Sequence, residues 1–175
     1  MTADLTDSTA GTGGPKRTRT VTWHDPGPST AKGRSMAGVD YLRAIIDGTL
    51  PPPPVAGLMQ FDLVSADPGR VVFTCRPDES AYNPIGAVHG GLVCTLLDAA
   101  LGCALHSTLP QGRGYTSVEI KVNYLKAIRL SSGLLTATGT VVKSGTRVGF
   151  TEGVVTDASG ATVATGSSTL LVFDL

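Results

Sequence analysis

From residue 90 to residue 107 polar positions almost disappear. Leu92, Val93, Leu96, Leu97, Ala100, Leu101, Ala104 and Leu105 supply apolar groups to nearly every face of a helix. A helix this apolar must be covered on most sides by the rest of its domain. The stretch before it, 77–89, is polar and rich in turn formers, and reads as a loop. Further upstream, Val39, Leu42, Ile45 and Ile46 recur at helical spacing over 36–47, followed by Gly48 and the prolines 51–54. This predicts a short amphipathic helix with a glycine stop and a polyproline exit, packing on the domain edge or flanking a pocket. Strand-like runs cover 58–65 and 70–76, separated by Ala66-Asp67-Pro68-Gly69. Beyond the long helix, Ser117–Tyr124 alternates strictly between apolar and polar residues, so one face is buried and the other polar. Three more strands follow at 134–143, 147–156 and 162–173, the first with Leu135, Ala137, Gly139 and Val141 on one face. Turns at Lys143–Arg147 and Asp157–Gly160 join them.

Two strands, one long helix and four strands joined largely by tight turns define an α+β class with antiparallel pairing. Six such strands can cover an apolar helix only by curling around it. Gly139, Gly149, Gly153 and Gly166 lie inside the strands, where glycine permits sharp bending or close backbone approach. The last strand carries no break, and needs a neighbour or a cover to avoid an exposed edge. Residues 1–35, rich in Thr, Ser, Gly and Pro and without periodicity, read as a flexible tail. Only Trp23 and His24 in it look able to pack on the domain, which spans 36–175.

Composition narrows the partners. The chain has 175 residues, enough for one domain with a sizeable core. Its 14 basic residues balance 14 acidic ones, so no global field attracts nucleic acid or an anionic membrane. Lys16, Arg17 and Arg19 form only a short basic patch in the tail. Three cysteines without C-x-x-C spacing or a nearby histidine cluster argue against a disulfide framework or a metal site. The first residues carry no charged leader and no apolar core of a signal peptide, and no stretch is long enough to cross a bilayer. A cytoplasmic location is expected.

The chemistry concentrates at the junction of loop and helix. Gly90 and Gly91 open the helix, where unpaired N–H groups and the positive end of the dipole suit a developing oxyanion. They also suit a simple tight turn. Asp98 has Cys94, Thr95, Leu97, Ala99, Leu101 and Gly102 as its helical neighbours, so it joins no polar stripe. Such an acid is either capped by a buried partner or serves as a general base or nucleophile. Gly90 and Asp98 are eight residues apart, ~12 Å along a helix. A carbonyl held at Gly90 therefore cannot be attacked with Asp98 of the same chain. If both act on one substrate, Asp98 comes from an antiparallel helix of a second copy, and the site lies across a two-fold interface. Asn83 and His89 flank the junction, as positioning residues or as a loop-closing amide and a helix-start residue. His106 suits a partner for the C-terminal dipole. Apolar side chains near the pocket mouth, Tyr82, Ile85 and Val88, join Gly91 as candidate contacts for the acyl group.

Asn83, His89-Gly90-Gly91 and Asp98, at these spacings, resemble the signature of hotdog-fold acyl-CoA thioesterases of the phenylacetate-pathway (PaaI-like) type. The likeness extends over about 39–173, including Tyr-Asn-Pro in the loop and Lys-x-Gly-x-Arg at 143–147. It implies a long central helix wrapped by a curved sheet, subunits paired edge to edge, and a homodimer or a dimer of dimers. It implies Asp98 as base or nucleophile, the Gly90 N–H as oxyanion donor, and Asn83 and His89 as positioning residues. Thr116 or Ser117 matches the position that supports the acid or the attacking water; the two face opposite sides of a strand. Lys143, Gly145 and Arg147 match a CoA-binding turn, with Lys121 and Lys126 as weaker candidates.

Hydrolysis of acyl-CoA thioesters, with no metal or redox cofactor, is the resulting expectation. Enoyl-thioester hydration and non-catalytic acyl-CoA sensing on the same fold are the rivals. The first typically needs a His–acid pair that His89 does not resemble, and the second has no use for Asp98.

Overall fold

The computed structural model describes residues 14–175. The expectations for residues 1–13 lie outside them. Helices α1 (Pro26–Gly33), α2 (Gly38–Ile46) and α3 (Pro54–Met59) precede strands β1 (Phe61–Asp67) and β2 (Arg70–Cys75). The long helix α4 (Gly90–His106) is followed by β3 (Arg113–Tyr124), β4 (Leu135–Ser144), β5 (Val148–Thr156) and β6 (Thr162–Asp174).

The six strands form one antiparallel sheet in the order β1-β2-β4-β5-β6-β3. The chain leaves β2, crosses the concave face as α4, and reaches the far edge as β3. It then returns to pair β4 with β2. Helix α4 packs against β2, β3, β4, β5 and β6. Leu96, Leu97, Leu101 and Leu105 are fully buried there against Val71, Leu135, Val155 and Leu170. The close seating explains one strand glycine directly: a Cβ at Gly139 would stand 2.2 Å from the Ala100 carbonyl oxygen. Sheet and helix backbones touch at that point.

Four details differ from the sequence reading. Residues 26–33, read as part of a tail, form α1, whose Asp25 cap accepts from the Gly27 N–H at 2.9 Å. Proline is tolerated in a first helical turn because its missing N–H has no partner there. For the same reason the proline run ends in α3, and the first strand starts at Phe61, after Gln60 has turned the chain with φ 58°. Trp23 is exposed, and the tail docks instead through Arg19, which donates to the Leu58 carbonyl at 2.8 Å, and through an Arg17–Glu79 ion pair. Finally, β6 is not at an edge. It lies between β5 and β3, and the twelve-residue β3 is the long open edge.

Candidate active site

The loop before α4 is held by its own polar groups. The Asn83 N–H donates to the Ala87 carbonyl at 2.8 Å, and its side-chain oxygen accepts from the N–H groups of Ile85 and Ala87, both at 3.1 Å. Arg129 donates to the Gly86 carbonyl, and the Leu130 N–H donates to the Tyr82 hydroxyl. Asn83 is thus a loop-closing amide, and Tyr82 a tie to the 130 region. Val88 is buried in the core, whereas Ile85 is 84% exposed. Tyr82 is half-buried, with its ring packed against the core.

The first peptides of α4 are unequally engaged. His89 is the N-cap, and its Nδ1 accepts from the Gly91 N–H at 2.9 Å. The carbonyl of the same Gly90–Gly91 peptide accepts from the Tyr124 hydroxyl at 2.9 Å. Thr95 Oγ1 donates to the Gly91 carbonyl at 3.0 Å. The N–H of Gly90 has no hydrogen-bond partner among the described residues. It sits at the positive end of a seventeen-residue helix, as an oxyanion donor requires. Tyr124 was not legible as a site residue. A Cβ on Gly90 would lie 2.9 Å from the Tyr124 ring, so glycine at 90 and tyrosine at 124 are coupled by contact. Desolvation, and then the Cys94 thiol, raises the Tyr124 pKa and keeps the hydroxyl a donor.

Asp98 is half-buried rather than sealed in the core. One side of α4 is an open seam in which Gly91, Cys94, Thr95, Asp98 and Ala99 keep some exposure. The sequence hides this seam because its residues are small rather than polar. Asp98 Oδ1 accepts from Ser117 Oγ at 2.7 Å. A bulge at Val118 shifts the alternation of β3, leaving Val118 66% exposed while Ile120 and Val122 turn inward. Before the bulge, Ser117 pairs with buried Leu170 and faces the helix; Thr116 pairs with Leu171 on the outer face. The acid's partner is therefore Ser117.

The helix is unbroken from Gly90 through Asp98, so their separation of ~12 Å holds. The Lys143–Arg147 turn lies at the other end of α4. Thr108 Oγ1 meets Ser144 Oγ at 3.0 Å, and a Cβ at Gly149 would strike Leu105. Lys143 and Arg147 are exposed; Gly145 allows the turn, since its Cβ would sit 2.5 Å from the Val148 carbonyl oxygen. Lys121 is exposed on β3, and Lys126 is paired with Asp157 at 2.8 Å. Two cavities border α4. One of about 530 Å³ adjoins His89, Gly91 and Thr95. The other, about 610 Å³, lies between α2 and the C-terminal half of α4. Helix α2 therefore flanks a pocket as well as packing on the domain. No helix among the described residues is long and apolar enough to cross a membrane.

A sequence model of the Thioesterase superfamily matches residues 85–164, a span that holds Gly90, Asp98 and Ser117. Acyl-coenzyme A thioesterase 13 of Homo sapiens is 34% identical over 113 residues, covering 64% of this chain and 79% of that protein. A Streptococcus mutans protein whose crystal structure is bound to acetyl CoA is 30% identical, with a TM-score of 0.60 over 65% of this chain and 89% of that one. The E. coli PaaI protein from the phenylacetic acid degradation operon has the same fold, with a TM-score of 0.68 over 77% and 95% of the two chains at 21% identity.

Proposed function

This chain belongs to the hotdog-fold thioesterase family, and on that premise we propose that it hydrolyses acyl-CoA thioesters in a site shared between two copies of itself. The observation that carries the proposal is the unengaged Gly90 N–H at the helix start, with an acid on the same helix face but out of reach along it. The thioester carbonyl oxygen lies against that N–H. Asp98 of the partner copy takes a proton from water as the water oxygen bonds to the carbonyl carbon. Negative charge develops on the carbonyl oxygen, where the helix dipole stabilises it. Collapse of the tetrahedral species breaks the C–S bond, and the thiolate takes the proton back from Asp98. Direct attack by the carboxylate, followed by hydrolysis of the anhydride, would use the same residues.

The open β3 edge supports pairing of two copies, since a twelve-residue edge is an exposed template for another strand. We place the CoA phosphates at Lys143 and Arg147. In an antiparallel helix pair the C-terminal half of one α4 passes the N-terminus of the other. The basic turn of the acid-bearing copy then reaches the side of the bound carbonyl. Asn83 and His89 act indirectly, by shaping the loop and occupying the Gly91 N–H. A homodimer is the minimal unit, and a dimer of dimers is the expected assembly.

The test is steady-state hydrolysis of an aryl, short-chain and long-chain acyl-CoA panel by wild type, Asp98→Asn and Asp98→Ala. Loss of kcat in both variants is expected. Near wild-type kcat in either would remove Asp98 from the mechanism.

A further inference from the structure

The 530 Å³ cavity falls within the range of small-molecule sites, and one of its walls is the start of α4, through His89, Gly91, Leu92 and Thr95. Gly91, Thr95 and Asp98 stand at i, i+4 and i+7, so this wall continues the side of the helix that carries the acid. Leu58 and Met59 at the end of α3, with Ala81 of the loop before α4, add apolar surface to the lining. The segment before α1 contributes one side chain, that of Arg19. The cavity therefore reaches from the helix start to the N-terminal segment.

Arg19 is held there by groups that line the same cavity. Its Nη2 donates to the Leu58 carbonyl at 2.8 Å, and its Nη1 lies 3.7 Å from Asp78 Oδ2. That carboxylate oxygen also accepts from Gln60 Nε2 at 2.8 Å, and Asp78 Oδ1 accepts from the Ser80 N–H at 2.8 Å. The Arg19 side chain is 35% exposed, against 72% for Arg17, whose pair with Glu79 lies outside the cavity lining. Arg19 is thus the inserted side chain of the segment, and Arg17 a surface tie. A run of methylenes that reached Arg19 would have to displace the guanidinium or strip water from a charged pair, and both weaken binding.

We propose that this cavity receives the acyl group of the thioester held at Gly90, and that Arg19 closes its far end and sets the longest chain accepted. This rests on the hydrolase reading above and names a residue that determines its specificity. With CoA leading away toward the basic turn of the partner copy, the acyl group leaves the carbonyl carbon on the other side, toward Gly91, Thr95 and the cavity. Leu58, Met59, Ala81 and Leu92 then give its methylenes apolar contact until the Arg19–Asp78 pair stops them. The N-terminal segment selects the substrate although it carries none of the chemistry.

The experiment measures kcat/KM for straight-chain acyl-CoAs from butyryl-CoA to palmitoyl-CoA with wild type, Arg19→Ala and Arg17→Ala. In wild type kcat/KM is expected to rise about fourfold per added methylene and then to fall at one chain length. In Arg19→Ala the fall is expected at a longer chain, whereas Arg17→Ala keeps the wild-type profile. The position of the fall is internal to each protein and does not depend on how much enzyme is folded. No fall in wild type, an unchanged position in Arg19→Ala, or an equal displacement in Arg17→Ala overturns the inference and leaves the hydrolase reading intact. If no thioester is cleaved, the hydrolase reading fails, and the uncleaved acyl-CoAs serve as ligands for calorimetric titration of the same three proteins. A chain-length limit in Kd that moves in Arg19→Ala alone supports the inference, and any other pattern overturns it.

Discussion

Ser117 Oγ donates to Asp98 Oδ1 at 2.7 Å, joining the edge strand to the central helix through the one acid on that helix. The bond fixes one carboxylate oxygen and leaves the other free to take a proton. With Asp98 as the proposed base, Asp98→Asn is expected to cost about 10²–10⁴-fold in kcat. Ser117→Ala removes only a charge-assisted hydrogen bond, and a loss of roughly tenfold is expected. Steady-state kinetics on one good acyl-CoA substrate separates the two. A Ser117→Ala loss as large as that of Asp98→Asn would mean that the serine itself takes part in the chemistry.

Gly90 and Tyr124 form a second coupled pair. A Cβ at 90 would meet the Tyr124 ring at 2.9 Å, so Gly90→Ala must displace the ring and with it the bond to the Gly90 carbonyl. Both changes then act through the same loss. Gly90→Ala is expected to lower kcat strongly in wild type and much less in a Tyr124→Ala background. A double-mutant cycle on kcat checks this, and additive losses would show that the ring does not hold the peptide.

The sequence was most legible where burial sets the pattern. The period of α4 and the alternation of β4, β5 and β6 follow from one face being covered, and their limits are off by only a residue or two. Legibility failed where local backbone geometry intervened. The Val118 bulge shifts β3 by one residue, and only the pairing with β6 shows that Ser117 rather than Thr116 points inward. Prolines that read as an exit are helix starts, because a proline N–H is not missed in a first turn. At the site, Asp98 stood out because it is the one charge in an apolar run. Tyr124 carries no such signal, since a tyrosine ending a strand is ordinary until its hydroxyl is seen on Gly90.

Away from the site, Asp157 holds the turn between β5 and β6. It accepts from Lys126 Nζ at 2.8 Å, from the Ser159 N–H at 3.0 Å and hydroxyl at 2.5 Å, and from the Ala161 N–H at 3.1 Å. The Lys126 bond first, then the Ser159 hydroxyl, holds its carboxyl well below the usual range. A lowered folded-state pKa means that its stabilisation is present above the unfolded value of about 4 and is lost as pH falls toward the folded value. Asp157→Asn is expected to unfold at lower urea than wild type at pH 7, with the gap narrowing as pH drops below about 4. A gap that stays constant down to pH 2 would show that the charge is not what stabilises the turn.

The shared site makes a demand on symmetry that chemistry can read. If Gly90 of each copy faces the substrate cleaved with Asp98 of the other, the two-fold axis crosses the paired helices midway between those positions, at Cys94. Cys94 precedes Asp98 by four residues, so its thiol lies on the same side of α4, and it is only half-buried. The other two thiols are poorly placed for contact between copies. Cys75 is buried in the sheet, and burial pushes the Cys103 thiol up to about 12 beside Tyr115. Mild oxidation or a short bismaleimide is therefore expected to trap a covalent dimer on a non-reducing gel. Cys94→Ser is expected to abolish the dimer band, and Cys103→Ser to leave it. If a sample that is dimeric by light scattering gives no cross-link through Cys94 with either reagent, the antiparallel pairing of helices is wrong, and so is the shared site built on it.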